Sequence, residues 1–213
     1  QERFLIEIYI ENMQKTKIET IEKILTDVLK EKIVLNDEAC LGNRLNFLSD
    51  DKYVMAVGTA DCTKNKSEIS GDSVLNIRLK DGKYLLAISD GMGSGKNAKE
   101  SSSNALKMLE NLLLAGFQKE ESLDLINTSL INQNKEVFAT LDIAIIDLYK
   151  GNIEFIKSGA CPTYIKKGDK VQILKANSLP AGIVPNAGLQ VYDRDVDSGE
   201  ILLMCSDGVL DSN

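Results

Sequence analysis

Residues 72–91 read DSVLNIRLKDGKYLLAISDG, two apolar runs that flank a short polar turn. An Asp-Gly pair between two strand-like runs is a strong β-hairpin signal. Folding the chain about this pair brings Asp72 opposite Gly91, so that Asp72 and Asp90 become neighbours at the open end of the hairpin. The sequence therefore predicts two carboxylates side by side, although 18 positions separate them along the chain.

The regions around the hairpin show both strand and helix periodicity. Strand-like runs occupy residues 3–10, 44–48, 53–60, 141–149, 153–159, 163–167, 170–175, 189–196 and 200–206, and helical patterns occupy 18–32, 98–114 and 120–134. This order predicts an α+β domain in which helices pack on antiparallel sheets. Breaks near residue 40 divide the chain into an N-terminal strand-helix segment, 1–40, and a main domain, 41–213.

The composition excludes several classes of function. A formal charge of −7 and only 5% aromatic residues argue against a nucleic-acid or anionic membrane surface. There is no His, which removes Ser-His-Asp catalysis, Cys-His catalysis and every imidazole metal site. The four cysteines are scattered, as expected for reduced thiols in a cytosolic protein. Chemistry with protons or metals is therefore expected to use carboxylates.

The chain begins at Gln1 and stops at Asn213, just after a strand-like run. From this we expect a fragment of a longer protein that lacks the C-terminal end of its fold. No apolar run approaches the length of a membrane span, so the fragment is expected to be soluble. A membrane anchor upstream of the fragment remains an open alternative.

The run Gly91-Met-Gly-Ser-Gly-Lys96 is similar to a phosphate-binding loop but does not satisfy its pattern. That loop needs Gly at its first position and Ser or Thr after the Lys, where this chain has Asp90 and Asn97. A carboxylate at the mouth of the loop would repel phosphate. A dinucleotide fingerprint fails as well, because its third Gly would fall on Lys96. We therefore reject a nucleotide-binding ATPase.

The pattern of an apolar strand followed by Ser-Asp-Gly occurs twice, at Asp90 and at Asp207. A carboxylate directly after a buried strand is held rigidly, and the following Gly allows the backbone to turn so that its carbonyl also faces an ion. Hard divalent cations such as Mg²⁺ and Mn²⁺ prefer such oxygen ligands. A single Asp-Gly pair usually marks a turn, but two copies together with Asp72 favour a metal site.

Five short motifs occur in order along the chain. They are Ser70-Gly71-Asp72, Ser89-Asp90-Gly91-Met92-Gly93-Ser94-Gly95, Phe138-Ala139-Thr140-Leu141-Asp142, Leu179-Pro180-Ala181-Gly182-Ile183 and Ser206-Asp207-Gly208. Together they resemble the metal-dependent PPM (PP2C-type) serine/threonine phosphatases, and specifically their sporulation branch. The resemblance covers roughly residues 40–213, and the N-terminal strand and helix resemble the segment that precedes the phosphatase core.

The resemblance implies a β-sandwich flanked by helices, in α-β-β-α layers, with two Mn²⁺ or Mg²⁺ ions at one end. It implies that Asp90 bridges both ions, that Asp72 and the Gly91 carbonyl bind one of them, and that Asp207 binds the other. A water bridging the two ions would attack phosphorus. The family also supplies a further metal-binding Asp beyond Asp207. Since this chain ends first and Asp211 follows too soon, we expect low activity from the fragment.

The resemblance further implies a phosphorylated anti-anti-sigma factor as substrate, whose dephosphorylation activates a sporulation sigma factor. The intact protein would lie at the cytoplasmic face of the septal membrane, with a homodimer as an open alternative. The alternative from another class is a PPM-fold binding or sensor module without significant catalysis.

Two further pairs of residues and one helix pair carry weaker expectations. Lys64 and Lys66 could meet a phosphate, but a solvated loop is the favoured explanation of both. Thr140 and Asp142 are expected to organise the sheet behind the site. Helices within 98–134 resemble the regulatory switch of the family, or simply cover a sheet.

Overall fold

The computed structural model of the chain describes residues 2–11, 17–61, 69–93, 95–133, 138–185 and 188–210. Its strands are β1 (Leu5–Tyr9), β2 (Ile33–Leu35), β3 (Arg44–Ser49), β4 (Asp72–Arg78), β5 (Tyr84–Asp90), β6 (Leu141–Asp147), β7 (Asn152–Ser158), β8 (Thr163–Lys167), β9 (Lys170–Leu174), β10 (Gln190–Asp195) and β11 (Ile201–Leu203). Its helices are α1 (Ile18–Leu29), α2 (Lys96–Ala115), α3 (Lys119–Ile131) and α4 (Asp207–Leu210).

The N-terminal sheet has the antiparallel order β1-β3-β2 and is packed against α1. Its buried residues Ile33, Leu45 and Phe47 contact the apolar face of α1, which includes Ile21 and Leu25. The central strand β3 follows residue 40, so this sheet includes residues on both sides of that position. The division of the chain at residue 40 stays a prediction.

The central sheet has five antiparallel strands in the order β10-β7-β6-β5-β4. Helices α2 and α3 cover one of its faces, and Leu85, Ile143 and Ile156 pack there against Leu109 and Ile126. Gly116, with φ of +94°, ends α2 in the left-handed conformation and accounts for the sharp turn into α3. The apolar contacts between these helices and the sheet stabilise the sheet that carries the two predicted carboxylates.

The C-terminal sheet, β11-β8-β9, packs on the other face of the central sheet. Alternate residues of β6 and β7, such as Ala144, Ile146 and Phe155, meet Ile165 and Leu202 in this inner core. The result is a β-sandwich with helices on the central sheet, the α+β architecture expected from the sequence. The outer face of the C-terminal sheet exposes four aliphatic residues: Val171, Ile173, Ile201 and Leu203.

Two sequence expectations differ from the structure in detail. The hairpin between β4 and β5 has a three-residue loop, since Leu79 N donates to Lys83 O (2.7 Å) and Gly82 adopts φ of +83°. Asp72 therefore pairs with Asp90 and not with Gly91, a register shift of one residue. Residues 53–60, expected to form a strand, pair with no strand in the described part of the chain.

Across the described ranges, no helix combines the length and the apolar character that crossing a membrane requires.

Candidate metal centre

The β4–β5 hairpin places Asp72 and Asp90 directly across from each other. Residues facing each other on one side of an antiparallel pair have Cβ atoms about 5 Å apart, so their carboxylates share one small region. Both side chains lie on the inner side of the central sheet, because Asp90 follows Leu86 and Ile88 at intervals of two. The two residues therefore stand at one end of the sandwich.

The backbone of Asp90 is fixed by Thr140, which precedes β6. Asp90 N donates to Thr140 Oγ1 and Thr140 N donates to Asp90 O, each at 2.9 Å. Because both backbone groups of Asp90 are hydrogen-bonded, its Cα position is fixed, and so is the point from which its side chain extends. The sequence-based expectation that Thr140 lies behind the site agrees with this position.

Two glycines leave room for oxygen atoms beside Asp90. A Cβ on Gly71 would lie 3.3 Å from the Gly91 carbonyl oxygen and 3.5 Å from Asp90 Oδ1. At Gly91, an added Cβ would lie only 1.9 Å from the carbonyl oxygen of Ala98 on α2. The methyl group of Ala98 lies 3.0 Å from the same Gly71 Cβ position, so the Gly91 carbonyl and the Asp90 carboxylate both border a narrow gap beside α2.

Asp207 reaches this end of the sandwich from the other sheet. It begins α4, four residues beyond β11, and the preceding Ser206 donates from Oγ to Asp72 Oδ2 at 2.8 Å. This contact joins positions that are 134 residues apart in sequence. The structure therefore brings Asp72, Asp90 and Asp207 together, as the repeated Ser-Asp-Gly pattern suggested.

The electrostatics of the cluster reflect its uncompensated negative charge. Burial raises the pKa of Asp90 to about 7, and repulsion from Asp72 and then Asp207 contributes in the same direction. The neighbouring Cys161 thiol has its pKa raised to about 11, first by burial and then by Asp207. An added cation would relieve this repulsion.

Helix α2 also contacts the strand that carries Asp72. Ser102 is fully buried, and its Oγ lies 2.5 Å from the Gly71 carbonyl oxygen and 2.8 Å from Ser73 Oγ. The Lys99 ammonium group donates to the backbone carbonyl of Asp72. Sequence reasoning missed these contacts, although Ser102 lies on the same helical face as the buried Ala98 and Ala105, which could have marked it.

The donor set suits a hard divalent cation, because it consists of carboxylate and carbonyl oxygens around a space that a Cβ would fill. Asp72, Asp90, the Gly91 carbonyl and Asp207 would be the ligands. Among the described residues, however, no three acidic or thiol side chains are arranged so that they enclose an ion. The role of these residues as metal ligands stays a prediction.

The remaining residues singled out in the sequence are not shown to join the carboxylate cluster. Lys64, Lys66 and Asp211 lie outside the described residues. Asp142 is buried on β6 and forms an ion pair with Lys157 of β7 (2.6 Å). This buried pair was not anticipated, and the charged letters in the otherwise apolar runs LDIAIID and IEFIKS were its only sequence signal.

Comparison with known proteins identifies relatives of the chain. Residues 80–213 match the profile of the stage II sporulation protein E (SpoIIE) family. Stage II sporulation protein E of Priestia megaterium is 39% identical over 197 residues, covering 90% of this chain and 34% of that protein. The corresponding protein of Bacillus subtilis is 34% identical over 197 residues, covering 90% of this chain and 24% of that protein. The chain thus spans a quarter to a third of the length of these relatives.

One solved structure is similar over nearly the whole chain. It contains the PP2C phosphatase domain and a fragment of the regulatory domain of the cell fate determinant SpoIIE from Bacillus subtilis. The TM-score is 0.72 at 33% sequence identity, and the match covers 98% of this chain and 63% of that chain. The match confirms the PP2C-like fold expected from the sequence.

Proposed function

Because the chain belongs to the SpoIIE family, we propose that it is the catalytic domain of a metal-dependent protein serine/threonine phosphatase. The observation that carries the proposal is the convergence of carboxylates from both sheets of the sandwich. Asp72 and Asp90 come from neighbouring strands of the central sheet, and Asp207 follows the C-terminal sheet, linked to Asp72 through Ser206. Structural turns alone would not require this convergence.

In this proposal the chain supplies oxygen ligands and holds them in place. Asp90 lies between Asp72 and Asp207 and is the candidate to serve two Mn²⁺ or Mg²⁺ ions. Thr140 fixes the Asp90 backbone, and the Gly91 carbonyl adds a neutral oxygen. When bound, such ions would activate a water for attack on phosphorus and would neutralise charge on the phosphoryl group. No protein nucleophile is required, in keeping with the absence of His.

The substrate that we propose is a phosphorylated anti-anti-sigma factor, by analogy with the sporulation family. Its phosphoserine or phosphothreonine would enter from the end of the sandwich that carries the three aspartates. The exposed position of Asp207 leaves this end accessible to a protein surface. In the intact protein we place this domain on the cytoplasmic side of a membrane, tethered by other segments.

The test is phosphate release from a phosphorylated anti-anti-sigma factor at millimolar Mn²⁺, compared between the chain and its Asp90→Asn variant. Because the described residues supply only three carboxylates, we expect slow turnover, and a single-turnover assay with radiolabelled phosphoprotein is the suitable format. The substitution is expected to abolish release, and chelation of Mn²⁺ is expected to abolish it as well.

Asp195→Asn is the matched control. Asp195 is an exposed residue that ends β10 at the opposite end of the central sheet, so this change removes the same charge far from the cluster. We expect it to leave release unchanged. Equal release by wild type and Asp90→Asn would refute the assignment.

A binding or sensor module with the same fold is the second candidate. The observation in its favour is that no three acidic or thiol side chains of the described ranges enclose an ion. This candidate predicts phosphoprotein binding without Mn²⁺-dependent phosphate release in the same assay.

A further inference from the structure

The three aspartates of the cluster belong to two different sheets. Asp72 and Asp90 lie on strands of the central sheet, whereas Asp207 is reached from β11 of the C-terminal sheet. The separation between Asp90 and Asp207 therefore depends on how the two sheets are held at this end of the sandwich. Apolar packing in the inner core resists separation of the sheets but gives little resistance to small sliding movements.

A buried ion pair lies in the inner core near this end. Asp142 of β6 and Lys157 of β7 are register partners, and Lys157 Nζ lies 2.6 Å from Asp142 Oδ1. Their side chains are 3% and 0% exposed, respectively. Lysine is almost never buried to this extent unless it is paired, so both charges depend on each other.

The remaining hydrogen bonds of the pair extend to the C-terminal sheet and to the loop that leads into it. Thr163, the first residue of β8, donates from Oγ1 to Asp142 Oδ2 at 3.1 Å. Lys157 Nζ also donates to the carbonyl oxygen of Cys161 at 2.8 Å. Strand β8 pairs with β11 through Tyr164 and Leu203, and β11 leads directly to Asp207.

The pair is also connected to the other half of the cluster, through Thr140. Asp142 lies two residues after Thr140, which holds both backbone groups of Asp90. One buried side chain, Asp142, is thus linked along β6 to Asp90 and through Thr163 and β8 to the strand that precedes Asp207.

We propose that Asp142, Lys157 and Thr163 form a clamp between the two sheets that fixes Asp207 relative to Asp90. They are positioning residues for the carboxylate cluster, and this inference rests on the proposed metal-dependent function. Hydrogen bonds have preferred lengths and directions, so they define the distance between the sheets in a way that apolar contacts do not.

The energetics of buried ion pairs support a positioning role. Taking both charges out of water costs about as much as their attraction returns, and apolar replacements of similar volume are often equally stable. Stability alone therefore gives no reason to keep the pair. Groups that orient metal ligands, in contrast, typically change metal affinity by about 10- to 100-fold when they are removed.

The experiment compares wild type with the double variant Asp142→Leu/Lys157→Met, which replaces the pair by apolar side chains. We expect the melting temperature to stay within about 5 °C of wild type. Mn²⁺ affinity, measured by calorimetry and by the spin-resonance signal of free Mn²⁺, should fall about 10-fold or more. In metal-free protein, amide hydrogen exchange in residues 204–210 should become about 10-fold faster, a change of 1.4 kcal/mol in the opening equilibrium.

The Thr163→Val variant tests the link to β8 alone, with Thr163→Ser as the conservative counterpart that keeps the hydroxyl. We expect Thr163→Val to weaken Mn²⁺ binding and to accelerate amide exchange in residues 204–210. Thr163→Ser should leave both at their wild-type values. The matched control is Arg194→Met/Glu200→Leu, which removes a mostly buried pair of similar length (2.7 Å) near the opposite end of β11. This control should change neither measurement.

Two outcomes would overturn the clamp. One is a folded double variant with wild-type Mn²⁺ affinity and wild-type exchange in residues 204–210. The other is Thr163→Val with both properties unchanged, which also decides the matter if the double variant fails to fold. Absence of Mn²⁺ binding by the wild type would refute the proposed metal-dependent function, while the exchange measurement would still decide the clamp.

Discussion

The two Ser-Asp-Gly segments have the same sequence but different surroundings. In the first, Ser89 and Gly91 are buried, and Asp90 is the last residue of a seven-residue strand inside the central sheet. In the second, Asp207 and Gly208 are exposed and follow a three-residue strand at the edge of its sheet. The motif alone therefore does not determine how firmly its carboxylate is held.

The difference comes from the neighbours of each segment. The first is enclosed by Thr140 on one side and by Ala98 of α2 on the other. The second is held by the link between Ser206 and Asp72 and by the pairing of β11 with β8. The Ser side chains differ as well, because among the described residues Ser89 Oγ has no hydrogen-bond partner, whereas Ser206 Oγ donates to Asp72. We infer that the first segment is the rigid half of the site.

The largest difference is expected for Ala substitution of the two glycines. A Cβ at Gly91 would lie 1.9 Å from a backbone oxygen of α2, so either the helix or the strand must move. Gly91→Ala should lower the free energy of unfolding by about 3 kcal/mol or more. Gly208 has nothing within 4 Å of an added Cβ and lies in α4. Gly208→Ala should change stability by between zero and a gain of about 1 kcal/mol.

Urea unfolding of both variants measures these changes, with wild type as reference. The two substitutions add the same methyl group to the same motif, so each serves as the control for the other. Equal losses of stability would show that the enclosure of the first segment by α2 is not as described.

Much of this comparison could be predicted from the sequence. Periodicity and the Asp-Gly turn placed Asp72 beside Asp90, and the repeated motif indicated that Asp207 belonged with them. The hairpin register was wrong by one residue, because a two-residue and a three-residue loop around Asp81-Gly82 cannot be distinguished without knowing the backbone conformation of Gly82.

Other features depend on contacts between distant segments. Residues 53–60 form an apolar run typical of a strand but pair with none of the described strands, and no local signal reports the presence of a partner. The bond from Ser206 to Asp72 and the pair formed by Asp142 and Lys157 likewise depend on register between segments. Sequence patterns predict which face of a strand is buried, but not which polar atoms meet there.

An effect of intermediate size is expected in the pH dependence of metal-free protein. The pKa of Asp90 is raised to about 7 by burial, by Asp72 and by Asp207, whereas in the unfolded chain it returns to about 4. Between these values the folded state holds a proton that the unfolded state lacks, so the free energy of unfolding falls as pH rises from 4 to 7. Because Asp90 is half-buried and solvent screens its neighbours, we expect the loss to be roughly 1 kcal/mol.

Urea unfolding in a chelator at several pH values, for wild type and Asp90→Asn, isolates this contribution from other titrations. The variant should lose less stability than wild type between pH 4 and 7 and should be the more stable protein at pH 7. Asp207→Asn should reduce the slope only in part, since it removes the repulsion from Asp207 and leaves the effects of burial and of Asp72 on the pKa of Asp90. Identical slopes for wild type and Asp90→Asn would contradict the crowding of carboxylates at this end.

The smallest effect is expected for Ser206→Ala, which removes the hydrogen bond to Asp72. The bond has a charged acceptor but is only partly buried, so we expect a loss of about 0.5 kcal/mol in the free energy of unfolding, at the low end for a hydrogen bond. Ser89→Ala is the control in the other segment, and because Ser89 Oγ lacks a partner in the described part of the chain, the change should be close to neutral. Since Ser206 is the direct link between Asp72 and the second segment, its loss should also accelerate amide exchange at residues 207–210, whereas Ser89→Ala should not. A larger loss of stability from Ser89→Ala than from Ser206→Ala would reverse the order of the two segments and show that the second is held by contacts other than this bond.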